Sequence, residues 1–195
     1  MREFSPNHID TSINKNWTNE WRFTGFYGEQ ATQKRHESLA KLRQLKNRGV
    51  SPWLCAREFN EITRQSKKKN GGRLRPHGQM QLFRDVVNEC AFMDLGFVGF
   101  PFTWHKHFAD CTIWERLVRV MATNEWFSMF PGTKVQHLDT TTSDHKPLLI
   151  NLEGMESNFQ KPFCFKHMWM TEKGCGKPLK PCGQKRTWTR GILKC

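Results

Sequence analysis

The sequence has no long apolar run. Hydrophobic residues make up 37% of its 195 positions, and no stretch approaches the length that crosses a bilayer. The first ten residues, MREFSPNHID, lack the apolar centre of a secretory leader. Both absences make a soluble, intracellular protein without a membrane partner the expectation. No C-x-x-C pair occurs, and the seven cysteines are odd in number. That argues against a disulfide framework and against the common zinc spacings. CGKPLKPCG, even with His167, matches no standard ligand pattern. Cys55 in PWLCAREF and Cys90 in VVNECAFM lie in apolar runs and read as buried free thiols in a reducing compartment. Internal repeats are absent as well. Acids are scarce, 18 Asp and Glu against 31 Lys and Arg.

What is present is positive charge, and it is clustered. The formal net charge is +13. Residues 34–75 hold 13 Lys and Arg against 3 acids, and residues 161–195 hold 9 against 1. The rest of the chain is net negative. Clustered basic charge favours a polyanion, with nucleic acid the first candidate. A solvated basic face or tail would look the same. The length suits one domain, and 15 Phe with 8 Trp can fill a core.

The order of elements is readable in outline. EWRFTGFYG reads as a strand ending at Gly28. Leu39, Leu42 and Leu45 recur at helical spacing over 34–48, with a stop near Gly49. PWLCAREFN is a short apolar strand running into polar residues. TRQSKKKNGGRLRPHG has no apolar period and reads as a mobile basic loop. Residues 79–90 set Met80, Phe83, Val87 and Cys90 on one helical face. FPFTWHK, CTIW, TKVQHLD, PLLINLE and KPFCFKHMW read as strands, and ERLVRVMAT as a short helix or turn. Asp94 in FMDLGF is expected to be a turn or capping residue. Trp53, Trp104, Trp114 and Trp126 are expected in the core. From Thr171 onward Gly, Pro and Lys dominate, as in a poorly ordered tail. Strands alternating with helices indicate an α/β or α+β sandwich.

Three polar clusters stand at the ends of expected strands: Tyr27 in GFYG, Glu58 and Asn60 in REFN, and Asp144 with His145 in TTTSDHKPLLI. Strand ends are common places for chemistry. Taken in order with NHID, WRFTGFYGE, RHESLAKLRQL, PWLCAREFNEI, WERLVR, NEWFSMFPGTKVQHLD and KPFCFKHMW, they resemble a known family. It is the endonuclease/exonuclease/phosphatase superfamily that includes DNase I. More narrowly, the chain resembles the endonuclease domain of LINE-type non-LTR retrotransposons, over about residues 6–170.

The resemblance implies an α+β, four-layer sandwich of the DNase I-like type, two mixed sheets flanked by helices, here partial with the first strands missing. Residues 1–170 would be the C-terminal portion of that domain, and 171–195 a basic, disordered tail. It implies Mg²⁺-dependent hydrolysis of a phosphodiester, the nicking of DNA for target-primed retrotransposition, in the nucleus. His145 would contact the scissile phosphate and Asp144 would lie beside the metal. Asn60 and Tyr27 would hold phosphate oxygens, and position 58 would carry the acid that orients or deprotonates water. Such a site surrounds a developing anionic charge with donors and supplies one base.

The chain departs from the pattern at several points. The family's early Asn and metal-binding Glu have no counterpart. Its Gly-Asp-Phe-Asn stands as Arg57-Glu58-Phe59-Asn60, and Val118 occupies the place of an Asp that orients the histidine. These changes imply an impaired copy. They keep open a non-catalytic basic fragment that binds nucleic acid, and, within the superfamily, a phosphatase. A sandwich short of strands would expose sheet and self-associate.

Overall fold

The computed structural model describes residues 3–49 and 51–154. The expected strand KPFCFKHMW, the boundary at 170, the basic tail and Cys164, Cys175, Cys182 and Cys195 lie outside them. Eleven strands and three α-helices follow one another among the described residues. They are β1 (Glu3–Ser5), β2 (His8–Ile13), β3 (Trp21–Tyr27), α1 (Arg35–Lys46), β4 (Trp53–Glu58), β5 (Lys68–Lys69), α2 (His77–Glu89), β6 (Met93–Asp94), β7 (Trp104–His107), β8 (Thr112–Glu115), β9 (Val118–Ala122), α3 (Asn124–Met129), β10 (Lys134–His137) and β11 (Leu148–Asn151).

The main sheet is mixed, in the order β1-β2-β3-β4-β9-β6. β3 and β4 run parallel, while β4 and β9 are antiparallel. Alternation along β4 divides the core. Trp53 and Cys55 point into a cluster with Phe26, Leu39, Leu42, Leu45, Phe83 and Val86. Leu54 and Ala56 point the other way, to Trp21, Val120, Ala122, Trp126 and Val135. Helices α1 and α2 thus cover one face of the sheet. The β10–β11 pair covers part of the other, through Val135 with the partly buried Leu148 and Ile150. A three-stranded sheet, β5-β8-β7, touches the chain before β11 through an isolated Trp104–His145 bridge. The expected second sheet is thus present as antiparallel pieces.

Both helices follow their apolar period. In α1, Leu39, Leu42 and Leu45 are buried. Full burial of such a side chain stabilises by about 1.5–3 kcal/mol. In α2 the inner positions are Met80, Phe83 and Val86, while Val87, expected there, is only partly buried. Cys55 and Cys90 are buried free thiols, and Cys111 is exposed.

Two expectations are corrected and a third is extended. ERLVRVMAT is not a helix or turn: it contains β9, buried at all five positions and bonded to β4 on one side and β6 on the other. Non-local pairing and β-branched Val118 and Val120 outweigh the short local pattern. TRQSKKKNGGRLRPHG is not a free loop. Its β5 pairs with β8, Lys68 Nζ lies 3.0 Å from Glu115, and Arg75 Nη2 donates to the same carboxylate at 2.7 Å. Asp94 does cap a turn, accepting from the Gly96 amide, but it also pairs with Arg116 at 2.8 Å and with the fully buried Arg119 at 3.2 Å. The β1–β2 hairpin was not foreseen, because its strands are short and polar.

Candidate functional site

The parallel register of β3 and β4 sets Tyr27 beside Glu58, and the antiparallel register of β4 and β9 sets Glu58 beside Val118. All three positions continue the face that carries Leu54, Ala56 and Val120 below them. They form one row across the sheet where its apolar filling ends.

Just past the row the chain turns tightly. The Gly28 amide donates to the Glu58 carbonyl at 2.7 Å. A Cβ at Gly28 would stand 2.3 Å from the Phe59 carbonyl oxygen, so only glycine permits the approach. Asn60 follows with φ +55°, a conformation Asn tolerates better than most residues. Its Nδ2 donates to the Gly28 carbonyl at 2.6 Å. Arg57 has φ +113°, where an L side chain is strained.

Asp144 and His145 reach the same place from the other side. The His105 amide donates to the Asp144 carbonyl at 3.0 Å, and the Lys146 amide to the Thr103 carbonyl at 2.8 Å. Thr103 is fully buried, and its Oγ1 accepts from the amides of Leu117 and Val118, both at 2.9 Å. One threonine therefore ties the start of β9 to the loop bearing the Asp-His pair. The indole Nε1 of Trp104 donates to Asp144 Oδ2 at 2.9 Å.

An open cleft of about 540 Å³ results, lined by Glu58, Asn60, Asp144 and His145 with Arg35 and Arg75 among the cations. A second groove of about 960 Å³ shares Glu58, Asp144 and His145 and adds Tyr27. The five residues singled out in the sequence thus line adjoining hollows. Glu58 Oε2 lies 3.6 Å from His145 Nδ1. Burial pushes the Glu58 carboxyl up, against the opposing pull of His145, Arg57 and a hydrogen bond from Asn60. Tyr27 Oη accepts from Gln30 Nε2 at 2.6 Å, which leaves its own proton to donate.

Several residues here were not singled out beforehand. Glu61, adjacent to Asn60, is fully buried and 3.6 Å from Arg35 and 3.9 Å from Arg75, and burial pushes its carboxyl up to about 6. Of the four tryptophans expected in the core, Trp53 and Trp126 are buried. Trp104 and Trp114 are only partly so, and Trp104 lines the cleft. No signal in the sequence separates these pairs.

Among the described residues no three metal-ligating side chains converge. Three carboxylates line the cleft: Asp144 accepts from Trp104, Glu115 is paired with Lys68 and Arg75, and Glu58 lies beside His145. These residues do not by themselves build a site for a hard dication, which favours several oxygen ligands.

The fold has a counterpart of known structure. The endonuclease domain of TRAS1, a telomere-specific non-LTR retrotransposon, superposes with a TM-score of 0.58 over 77% of this chain. The fold is similar to that of a DNase I-like endonuclease domain. At 14% identity the likeness concerns the fold, and this chain spans 65% of the TRAS1 domain. A functionally unknown conserved protein from Enterococcus faecalis V583 also matches, at 15% identity over 75% of this chain and 56% of its own, but with a TM-score of 0.38 too low to bear on the DNase I-like fold. No family model matches the sequence, and no curated protein matches it.

Proposed function

We propose that the cleft binds a phosphodiester of DNA and hydrolyses it slowly, as an impaired endonuclease. The observation that supports this reading is the meeting of Tyr27, Glu58, Asn60, Asp144 and His145, from three distant segments, at one rim of a DNase I-like fold. Tyr27 donates to one phosphate oxygen, and Asn60 turns to another the amide hydrogen it otherwise gives Glu58. Water attacks phosphorus in line and its proton passes to the Glu58–His145 pair, while the bond to the leaving oxygen breaks and that oxygen takes a proton from solvent. A carboxyl raised by burial suits such proton transfer. Asp144 is the one residue here proposed beside Mg²⁺, which would neutralise charge on the phosphate. The strain at Arg57 and the engaged carboxylates support an impaired rate. DNA as substrate would place the protein in the nucleus.

The reading extends to partners. Phe4 and Ile9 on the outer strands β1 and β2 are 81% and 57% exposed, and such an edge favours self-association. Among the described residues no helix is long and apolar enough to cross a membrane.

The test is a supercoiled-plasmid nicking assay on the purified chain, with Mg²⁺ and with EDTA. Slow nicking is expected with Mg²⁺, falling about 100-fold in His145→Ala. Nicking that survives His145→Ala would remove the site. No nicking alongside retained DNA binding would favour the second reading, a basic binding fragment, which the cations Arg35 and Arg75 at the cleft support.

A further inference from the structure

His145 keeps 30% of its side chain exposed in the cleft, yet its Nδ1 is buried and makes no hydrogen bond. A buried polar atom without a partner is costly. The nearest charged group is Glu58 Oε2 at 3.6 Å, on a side chain only 9% exposed. A movement of about 0.5 Å would bring the pair to hydrogen-bond length. Asp144 Oδ2 accepts from Trp104, and Val118, directly across from Glu58, offers no polar atom.

We infer that Glu58 is the positioning residue of His145: its carboxylate accepts a proton-bearing Nδ1 and leaves Nε2 bare toward the cleft. Which ring nitrogen carries the proton is set by the bond the other nitrogen makes. The inference rests on the proposed nuclease reading, and it divides the pair's labour. His145 Nε2 takes the proton from water, and Glu58 steadies the imidazolium that forms. Glu58 holds this role because cross-strand neighbours project to the same face. A carboxylate at 118 would enter the same space from β9.

The experiment is long-range ¹H–¹⁵N correlation of the imidazole rings in the whole chain at pH 8 with EDTA. It needs no activity. Wild type should show His145 protonated at Nδ1. Glu58→Met, which keeps length and removes the acceptor, should shift the tautomer ratio toward Nε2 by about tenfold or more, the worth of a hydrogen bond to a charged group. Glu58→Met with Val118→Asp should return it toward Nδ1. Wild-type His145 protonated at Nε2 would overturn the inference whether or not any variant folds. So would a folded Glu58→Met chain with an unchanged ratio. An Nδ1 proton that depends on Glu58, in a chain that nicks nothing, would sustain the positioning role and sink the nuclease reading. Nicking by a chain with an Nε2 proton would do the reverse.

Discussion

Arg57 holds φ +113° one residue from the end of paired strand β4 while its side chain is exposed. Holding a non-glycine residue there costs about 1–3 kcal/mol. Arg57→Gly should therefore stabilise the fold by about 1 kcal/mol, raising Tm by roughly 2–4 °C for a chain of this size. A lower Tm would show that contacts of Arg57, such as its guanidinium 5.7 Å from the Tyr27 ring, outweigh the strain. Glu61 gives a pH dependence. Its carboxyl, ordinarily near 4.5, is pushed up to about 6 by burial. Between those values the folded chain binds a proton that the unfolded chain has lost. Stability is thus gained as pH falls through this window and lost as it rises, by on the order of 2 kcal/mol. Glu61→Gln should flatten urea midpoints between pH 4.5 and 7; an unchanged slope would contradict the assignment. Asp144, His145, Glu58 and Asn60 were legible because polar side chains at the ends of apolar strands stand out. Thr103 and Glu61 were not. A threonine between Phe102 and Trp104 reads as any strand residue, and its role arises from the amides of Leu117 and Val118, fourteen and fifteen residues away.

Elements with a strong local period were readable, and those defined by their partners were not. Helix α1 was placed within two residues because its leucines repeat, and β3 and β4 because their apolar runs end at turns. β9 reads as a helix or turn in the sequence, since Arg119 interrupts its apolar pattern and Arg116 precedes it. Both guanidiniums are buried against Asp94, a pairing no window of sequence displays. β1 and β2 are short and polar and do not stand out in the sequence; β1 is one edge of the main sheet and β2 lies beside it. Phe4 and Ile9 are register neighbours there. If this edge drives self-association, Phe4→Lys with Ile9→Lys should return the chain to a monomer in sedimentation velocity at micromolar concentration. Charge on an edge strand opposes pairing. An oligomer that persists in the double variant would point to another surface.

At the scale of the molecule, the net charge of +13 governs how polyanions are met. If about four phosphates are neutralised, DNA affinity should fall on the order of 100-fold between 50 and 200 mM salt. Fluorescence anisotropy on a labelled duplex measures this, and a flat response would exclude phosphate contact as the source of binding. The distribution of charge was plain in the sequence. The cleft's use of Arg35 and Arg75 was not, since both also face the buried Glu61. One feature of the sheet ties these scales together. Tyr27, Glu58 and Val118 share strands with Phe26, Cys55 and Met121, which fill the opposite face. Because strand side chains alternate, a slip of one residue would turn cleft residues into the core and core residues into water. The two faces are one register read twice. A substitution that keeps the interior in register therefore keeps the spacing of the cleft as well, and a slip that disturbs one disturbs both.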